Sequence, residues 1–328
     1  MKVKKSLLPI VFMFCFTSLY AQTEKEFKPY GKPVFVTFTN VHYSFNEEGG
    51  NPLFEISRVY LGYEHFFSET FSSRAVFDVG DPGVGGLKMT AYVKNALIQY
   101  KQKNFSGRIG LISTDAFNLV EKQWGNRYIF KTFQDENGFN SSADLGAAIE
   151  YTPSEYISFD ASVLNGEGYK KLQSDSIFKY TAGITLHLVD GLQLRAYTDF
   201  MKKDYLQNTM SFFGGYTNNR LSLGLEYAIQ SNNKMINDND YSGFSAFGTF
   251  KVNDKFGLLA RYDFLKSEKA APGTDPWNFN NDGQIIIAGL DYSPVRGIRI
   301  APVYIGRIPA DNTKPFTSAP GLYFEIKL

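Results

Sequence analysis

The sequence predicts an all-β chain: an up-and-down antiparallel β-barrel of about sixteen transmembrane strands, with long external loops and short periplasmic turns. Three observations carry that prediction. Apolar and polar residues alternate with period two along most of the chain, as in strands with one apolar face. The segments between these runs fall into a short and a long class that alternate in order. Aromatic residues make up 16%, with 21 Tyr and 30 Phe, yet mean hydropathy is −0.24, too polar for a bundle of membrane helices.

At the start, Lys2, Lys4 and Lys5 precede an apolar run from Leu7 to Phe16, and Ala21 stands before Gln22. A basic start, a short apolar run and a small residue at the cut read as a secretory signal over 1–21. The run falls short of the ~20 apolar residues that a spanning helix needs. Its removal takes the formal charge from +1 to −2 and takes away Cys15, the one cysteine in the chain. A thiol-free exported chain excludes disulfide scaffolds and thiolate metal sites. Near-neutral charge without a basic block excludes nucleic acid as a partner. No linker or composition shift divides the remainder, so 22–33 reads as a short N-terminal periplasmic segment and 34–328 as one barrel.

Alternation places strands near 34–43, 54–66, 71–79, 88–101, 105–113, 141–151, 155–165 and 177–188. Eight more follow near 191–202, 208–217, 220–230, 241–252, 255–267, 283–292, 297–306 and 320–328. Leu192, Leu194, Ala196 and Phe200 oppose Gln193, Arg195, Tyr197 and Asp199, and the last run sets Leu322, Phe324 and Ile326 against Tyr323, Glu325 and Lys327. The first, fourth and tenth runs show no clear face. Connections at 67–70, 102–104, 152–154, 189–190, 218–219, 253–254 and 293–296 are short and hold turn residues such as Asp190-Gly191 and Asn218-Asn219. Those at 44–53, 80–87, 114–140, 166–176, 203–207, 231–240, 268–282 and 307–319 are longer, without overlap between the classes.

The runs exceed the ~5–6 residues usual in soluble sheets and match a tilted membrane span of ~9–11 residues. The apolar face then meets lipid and the polar face lines the lumen, and closure removes edges that hydrocarbon cannot tolerate. Tyr151, Tyr156, Phe200, Tyr227 and Tyr292 near strand ends suit interfacial girdles.

Sixteen strands leave a water-filled bore. The lumen-facing basic residues are Arg58, Arg74, Arg108, Arg195, Arg220, Lys251, Arg261, Arg299 and Lys327. Against them stand Glu64, Asp78, Asp144, Glu150, Asp160, Asp199, Glu226, Asp263, Asp291 and Glu325. The lining is polar and near balance, so no ring of one sign sets an ion preference. These charges either work on a solute or pair to stiffen the wall. A polar lining also argues against a channel for hydrophobic substrates.

The segment 114–140, the third external loop, breaks the pattern. Structureless loops beyond ~12–15 residues are usually functional or disordered. Trp124, Tyr128, Phe130, Phe133 and Phe139 argue against disorder. Folding back into the lumen buries the rings and narrows the bore, with Glu121, Lys122, Arg127 and Lys131 projecting beside Trp124 and Tyr128. An outward surface loop, or one that contacts a neighbouring subunit of a trimer, is the alternative.

Several stretches resemble the porins of the phosphate-selective O and P type and their broader relatives. They are RVYLGYE from Arg58 to Glu64, Phe67 to Arg74, Phe77 to Gly80, Glu121 to Gly146 and Asn165 to Tyr169, with the best agreement over 54–170. The resemblance implies a sixteen-stranded trimeric diffusion channel with a constricting third loop. In phosphate-selective members it implies an arginine ladder and a lysine cluster, whereas here the arginines are matched by acids. The expected function is passive diffusion of ions and small hydrophilic solutes, phosphate-like anions among them, across an outer membrane. Lipid and a homotrimer are the expected partners, with no cofactor. A structural or adhesive barrel and an outer-membrane enzyme are the rival classes. His42, His65 and His187 sit in no nucleophile or ligand motif, so neither a catalytic nor a metal site is expected.

Overall fold

A computed structural model describes residues 27–81, 86, 89–269 and 271–328. The export segment expected over 1–21, and 22–26 after it, lie outside the described residues. Five strands come first: β1 (Tyr30–Asn46), β2 (Gly49–Phe66), β3 (Phe71–Gly80), β4 (Thr90–Gln102) and β5 (Phe105–Ser113). A connection with two short helices follows, α1 (Asn118–Trp124) and α2 (Phe133–Glu136). Next are β6 (Ala143–Ser154), β7 (Ile157–Leu164), β8 (Lys179–Val189), β9 (Leu192–Lys202), β10 (Leu206–Thr217) and β11 (Leu221–Ser231). The last five are β12 (Tyr241–Lys251), β13 (Phe256–Ser267), β14 (Gly283–Val295), β15 (Ile298–Pro309) and β16 (Thr317–Lys327).

Each strand pairs with the next, and β16 returns antiparallel to β1, so the sixteen-stranded sheet closes on itself. The expected inversion of faces holds. Ile109, Leu145, Ile149, Phe212, Leu225 and Leu290 lie exposed on the outside, while Asp78, Asp199, Glu226 and Arg261 are buried inside.

The structure departs from the sequence expectations at the rims. β1 starts at Tyr30, paired with Phe66, so 30–33 belongs to the barrel rather than to a periplasmic segment. The long loop expected over 44–53 is mostly strand: Asn46 pairs with Gly49 and only Glu47 and Glu48 turn. The Asn46 side chain accepts the Glu48 N–H at 2.9 Å, a local bond that lets so short a turn close. Likewise 203–207 shrinks to 203–205, so two connections at the long-loop rim are as short as those opposite. The two length classes therefore overlap.

Register shifts also break the period, three beside short turns and two within the wall. Phe38 pairs with Arg58 but Thr39 pairs with Ile56, which leaves Ser57 as the extra residue of β2. Val76 pairs with Asn95 but Phe77 pairs with Val93, which leaves Lys94 as the extra residue of β4. Bulges re-aim side chains, and this one explains why the fourth run shows no clear face.

Candidate functional site

The lumen is crossed by the connection 114–142, which is tied to the wall at both ends and in the middle. At its start, Arg108 Nη2 donates to both Asp115 carboxylate oxygens at 2.8 and 2.7 Å, and Arg195 Nη2 donates to the Asp115 carbonyl at 2.9 Å. Helix α1 stops at Gly125, whose φ of 62° suits a residue without Cβ and whose N–H caps Glu121. On the far wall, Gln123 Nε2 lies 2.7 Å from Thr217 Oγ1 and 2.9 Å from the Tyr216 and Leu223 carbonyls. Arg299 grips the next turn, donating to the Gly125 carbonyl at 2.7 Å and to Asn126 Oδ1 at 2.5 Å. Arg261 donates to the Lys131 carbonyl at 2.6 Å. From α2, Gln134 donates to Glu226 at 2.6 Å, and past it Asn140 donates to Asp199 at 2.9 Å.

The rings supply most of the grip. Phe117, Trp124, Phe133 and Phe139 are each 1% exposed and Tyr128 is 2% exposed. Phe117, Trp124 and Tyr128 share a core with inward-facing Phe38, Phe213, Phe247, Leu259, Ile287 and Ile305. Trp124 meets Phe247 edge-on at 5.4 Å, and Arg261 and Arg299 lie over Trp124 and Tyr128 at 5.2 and 4.6 Å. Gly224 makes room for Phe247, because a Cβ there would come within 2.2 Å of its ring. Each buried aromatic removes roughly 150–250 Å² from water, several kcal/mol at ~25 cal/mol/Å². A single hydrogen bond contributes about 0.5–1.5 kcal/mol net, so each buried ring holds more than each polar tie. The uniformly polar lining expected from sequence is thus corrected: one arc of the inner wall is apolar, and the loop covers it.

The charges expected to work on solute are largely engaged with one another. Arg127 sits between Glu121 at 2.5 Å and Asp135 at 2.7 Å. Burial alone would lower the Arg127 guanidinium, but Asp135, Tyr60 and Glu121 outweigh it and hold it well above its ordinary value. Burial would raise Asp135, and Arg127, followed by Lys131 and Lys94, holds it below the usual carboxyl range. Burial pushes the Tyr128 hydroxyl up, and that hydroxyl donates to Asp291 at 3.1 Å. Lys131 pairs with Glu136 at 3.5 Å, while Glu121 and Lys122 border open space.

On the wall, Arg58 pairs with Asp78, Arg195 with Asp160 at 2.6 Å and Arg261 with Asp263 at 2.6 Å. Arg299 reaches Asp291 at 2.7 Å and Glu325 at 3.4 Å, and Arg74 reaches Glu64 at 3.8 Å. Asp144 accepts the N–H groups of Leu145 and Gly166, and Asp199 accepts from Thr209. Glu150 and Lys327 border water-accessible space near the short-turn rim. Arg220 is corrected: it lies exposed in the turn 218–220, after β10, and Lys251 is exposed at the end of β12.

Sequence reasoning missed Tyr92 and Lys94 on β4 and Lys170 in the connection after β7. Lys94 Nζ lies 4.8 Å over the Tyr60 ring and 5.4 Å over the Tyr169 ring, and Lys170 Nζ lies 5.6 Å over Tyr92. Tyr92 and Tyr169 pack at 5.8 Å. Neither lysine forms an ion pair among the described residues. The bulge hid Lys94, whereas the Asn165–Tyr169 motif did point to Tyr169. About 970 Å³ of space remains on the short-turn side of the loop, and about 460 Å³ on the long-loop side.

No family model and no curated protein matches this chain. Solved structures do match. The outer membrane channel DcaP of Acinetobacter baumannii superposes with a TM-score of 0.64 at 13% identity, covering 92% of this chain and 97% of that one. OmpF of Salmonella typhi, in complex with daunomycin, gives 0.65 at 12%, covering 90% and 97%. OmpT, an outer-membrane protein of Vibrio cholerae, gives 0.62 at 14%, covering 91% and 98%, and one form of it folded in vitro is a trimer. This chain shares their barrel fold.

Proposed function

We propose that the chain forms a water-filled pore in an outer membrane, through which ions and small hydrophilic solutes diffuse passively without chemical change. The observation that carries this reading is the loop 114–142. It is clamped against one arc of the wall and leaves water-accessible space lined with charged and polar groups on both sides. On this reading the long-loop rim faces outward, the short turns face the periplasm, and the loop sets the bore.

Two lysines with no ion pair among the described residues favour anions. The wall arginines are matched by carboxylates, so their charges largely cancel. Lys94 and Lys170 are held by tyrosine rings, and a cation–π contact positions an ammonium without neutralising it. Kinship with the phosphate-selective porins is supported by the motif segments in β2, β3 and 165–169. Arginines engaged in pairs are not free to act as a ladder, so anions as a class, phosphate included, fit better than phosphate alone. A homotrimer is the assembly we adopt, following the trimeric OmpT form.

The test is reconstitution in planar bilayers. Persistent open channels are expected, with higher conductance after deletion of 116–136 and a reversal potential in a salt gradient of anion-preferring sign. Silent bilayers would sink the pore reading. Unchanged conductance on deletion would sink the constricting role of the loop.

A further inference from the structure

We propose that the cavity at the long-loop mouth is a binding site for a neutral, polyhydroxylated solute, a saccharide of one or two rings. Its volume is about 460 Å³, within the ~300–1,000 Å³ of small-molecule sites. The end of α2 forms one side, and residues 278–284 with 307–309 form the other.

The charged groups of this cavity already have partners. Arg307 reaches Glu136 at 3.4 Å and lies over the Phe130 ring, and Lys131 also reaches Glu136. Asp263 is held by Arg261. Asp282 accepts the Ser267 N–H at 2.9 Å, the Ser267 hydroxyl at 2.5 Å and the Asn278 amide at 3.3 Å.

The amides are only half engaged, and their partners fix which way each one points. Asn137 donates to the Phe133 carbonyl at 2.9 Å, Asn281 donates to Asn278 Oδ1 at 2.9 Å, and Asn280 Oδ1 accepts from Lys314 at 2.5 Å. Among the described residues this leaves Asn137 Oδ1 and Asn281 Oδ1 as unused acceptors and Asn280 Nδ2 as an unused donor. An anion would face two carbonyl-type oxygens and the Asp282 carboxylate, while a cation would find Arg307 and carboxylates already engaged. A hydroxyl both donates and accepts, so a solute rich in hydroxyls satisfies both kinds of group. Leu265, Ile285 and Pro309 add apolar surface for the C–H face of a sugar ring.

This inference rests on the pore reading for treating the cavity as an outer vestibule, so binding is measured apart from conduction. The full chain in detergent micelles is titrated calorimetrically with maltose and, separately, with inorganic phosphate. Saturable maltose heat without phosphate heat is expected. The double variant Asn280→Ala/Asn281→Ala, in an exposed loop and with unchanged circular dichroism, is expected to weaken maltose binding at least about tenfold. Absence of maltose heat in the natural chain, or saturation by phosphate instead, overturns the proposal whether or not the variants fold. Conducting bilayers with no maltose heat overturn this site and leave the pore; silent bilayers with maltose heat overturn the pore and leave the site.

Discussion

The inner wall of this barrel divides into two arcs that share one outward face and differ inward. From β10 through β16 to β1, inward positions hold Phe213, Phe247, Leu259, Ile287, Ile305 and Phe38, all buried. From β2 to β9, the inward positions around the open space hold Arg108, Glu150, Asp160, Thr185 and Arg195. The outward rule is uniform because lipid covers both arcs. The inward rule follows whatever covers the wall from inside. Water demands polar groups around the open space, while the inserted loop presents rings mainly to β10–β16 and β1, in a dry core that Tyr60, Val76 and Tyr197 extend onto β2, β3 and β9. The arginines serve both arcs: Arg261, Arg299 and Arg195 each hold a loop carbonyl as well as a wall carboxylate, whereas Arg58 answers the wall carboxylate of Asp78.

Breaking the dry arc should have the largest effect. Trp124→Ala removes a ring buried against Phe247, a loss of about 3–5 kcal/mol for a core Trp. The loop should leave the wall, and single-channel conductance should rise toward that of the 116–136 deletion. Conductance equal to that of the natural chain would show that the polar ties alone hold the loop.

This difference between arcs also decides what the sequence made legible. Where the inward positions stay polar or small, period two is clean: Leu192 to Phe200 and, beneath the loop, Leu221 to Ile229 opposite Ser222, Gly224, Glu226 and Ala228 read correctly, as does the count of sixteen. The first and tenth runs resisted assignment because Phe38 and Phe213 put apolar residues on the inner face, beneath a loop far away in sequence. The fourth resisted because one extra residue, Lys94, shifts the register. The loop aromatics were legible as a buried set, but the arginines read as free lining because pairing is a property of neighbouring strands and not of spacing. Arg220 misled for a simpler reason: alternation continued by one residue into a turn. The amides of the mouth carry no period and meet only when 137 and 278–281 come together.

On the wet arc, the sharpest test concerns sign. Lys94→Glu replaces a cation that has no ion pair among the described residues with an anion beside Tyr60 and Tyr169, and should move the reversal potential toward cations. The paired change, Arg261→Gln on the dry arc, should alter conductance through the loop and leave the sign unchanged. If both variants shift the sign equally, the division into a gripping wall and a conducting wall is wrong.

The smallest expected effect is a titration on the same wet arc. Burial, followed by repulsion from Arg58, pulls the Lys170 amine below the ordinary lysine value of 10.5. Its folded value lies below its unfolded value, so between the two the unfolded chain holds more protons, and stability rises with pH there. The anion preference should therefore decline as pH rises toward 10.5 while the barrel does not loosen, which separates this step from alkaline unfolding. Lys170→Gln should start with a weaker anion preference and lose that pH-dependent step. A step of unchanged size in Lys170→Gln would assign the titration to another group and leave Lys94 as the working cation of the wet arc.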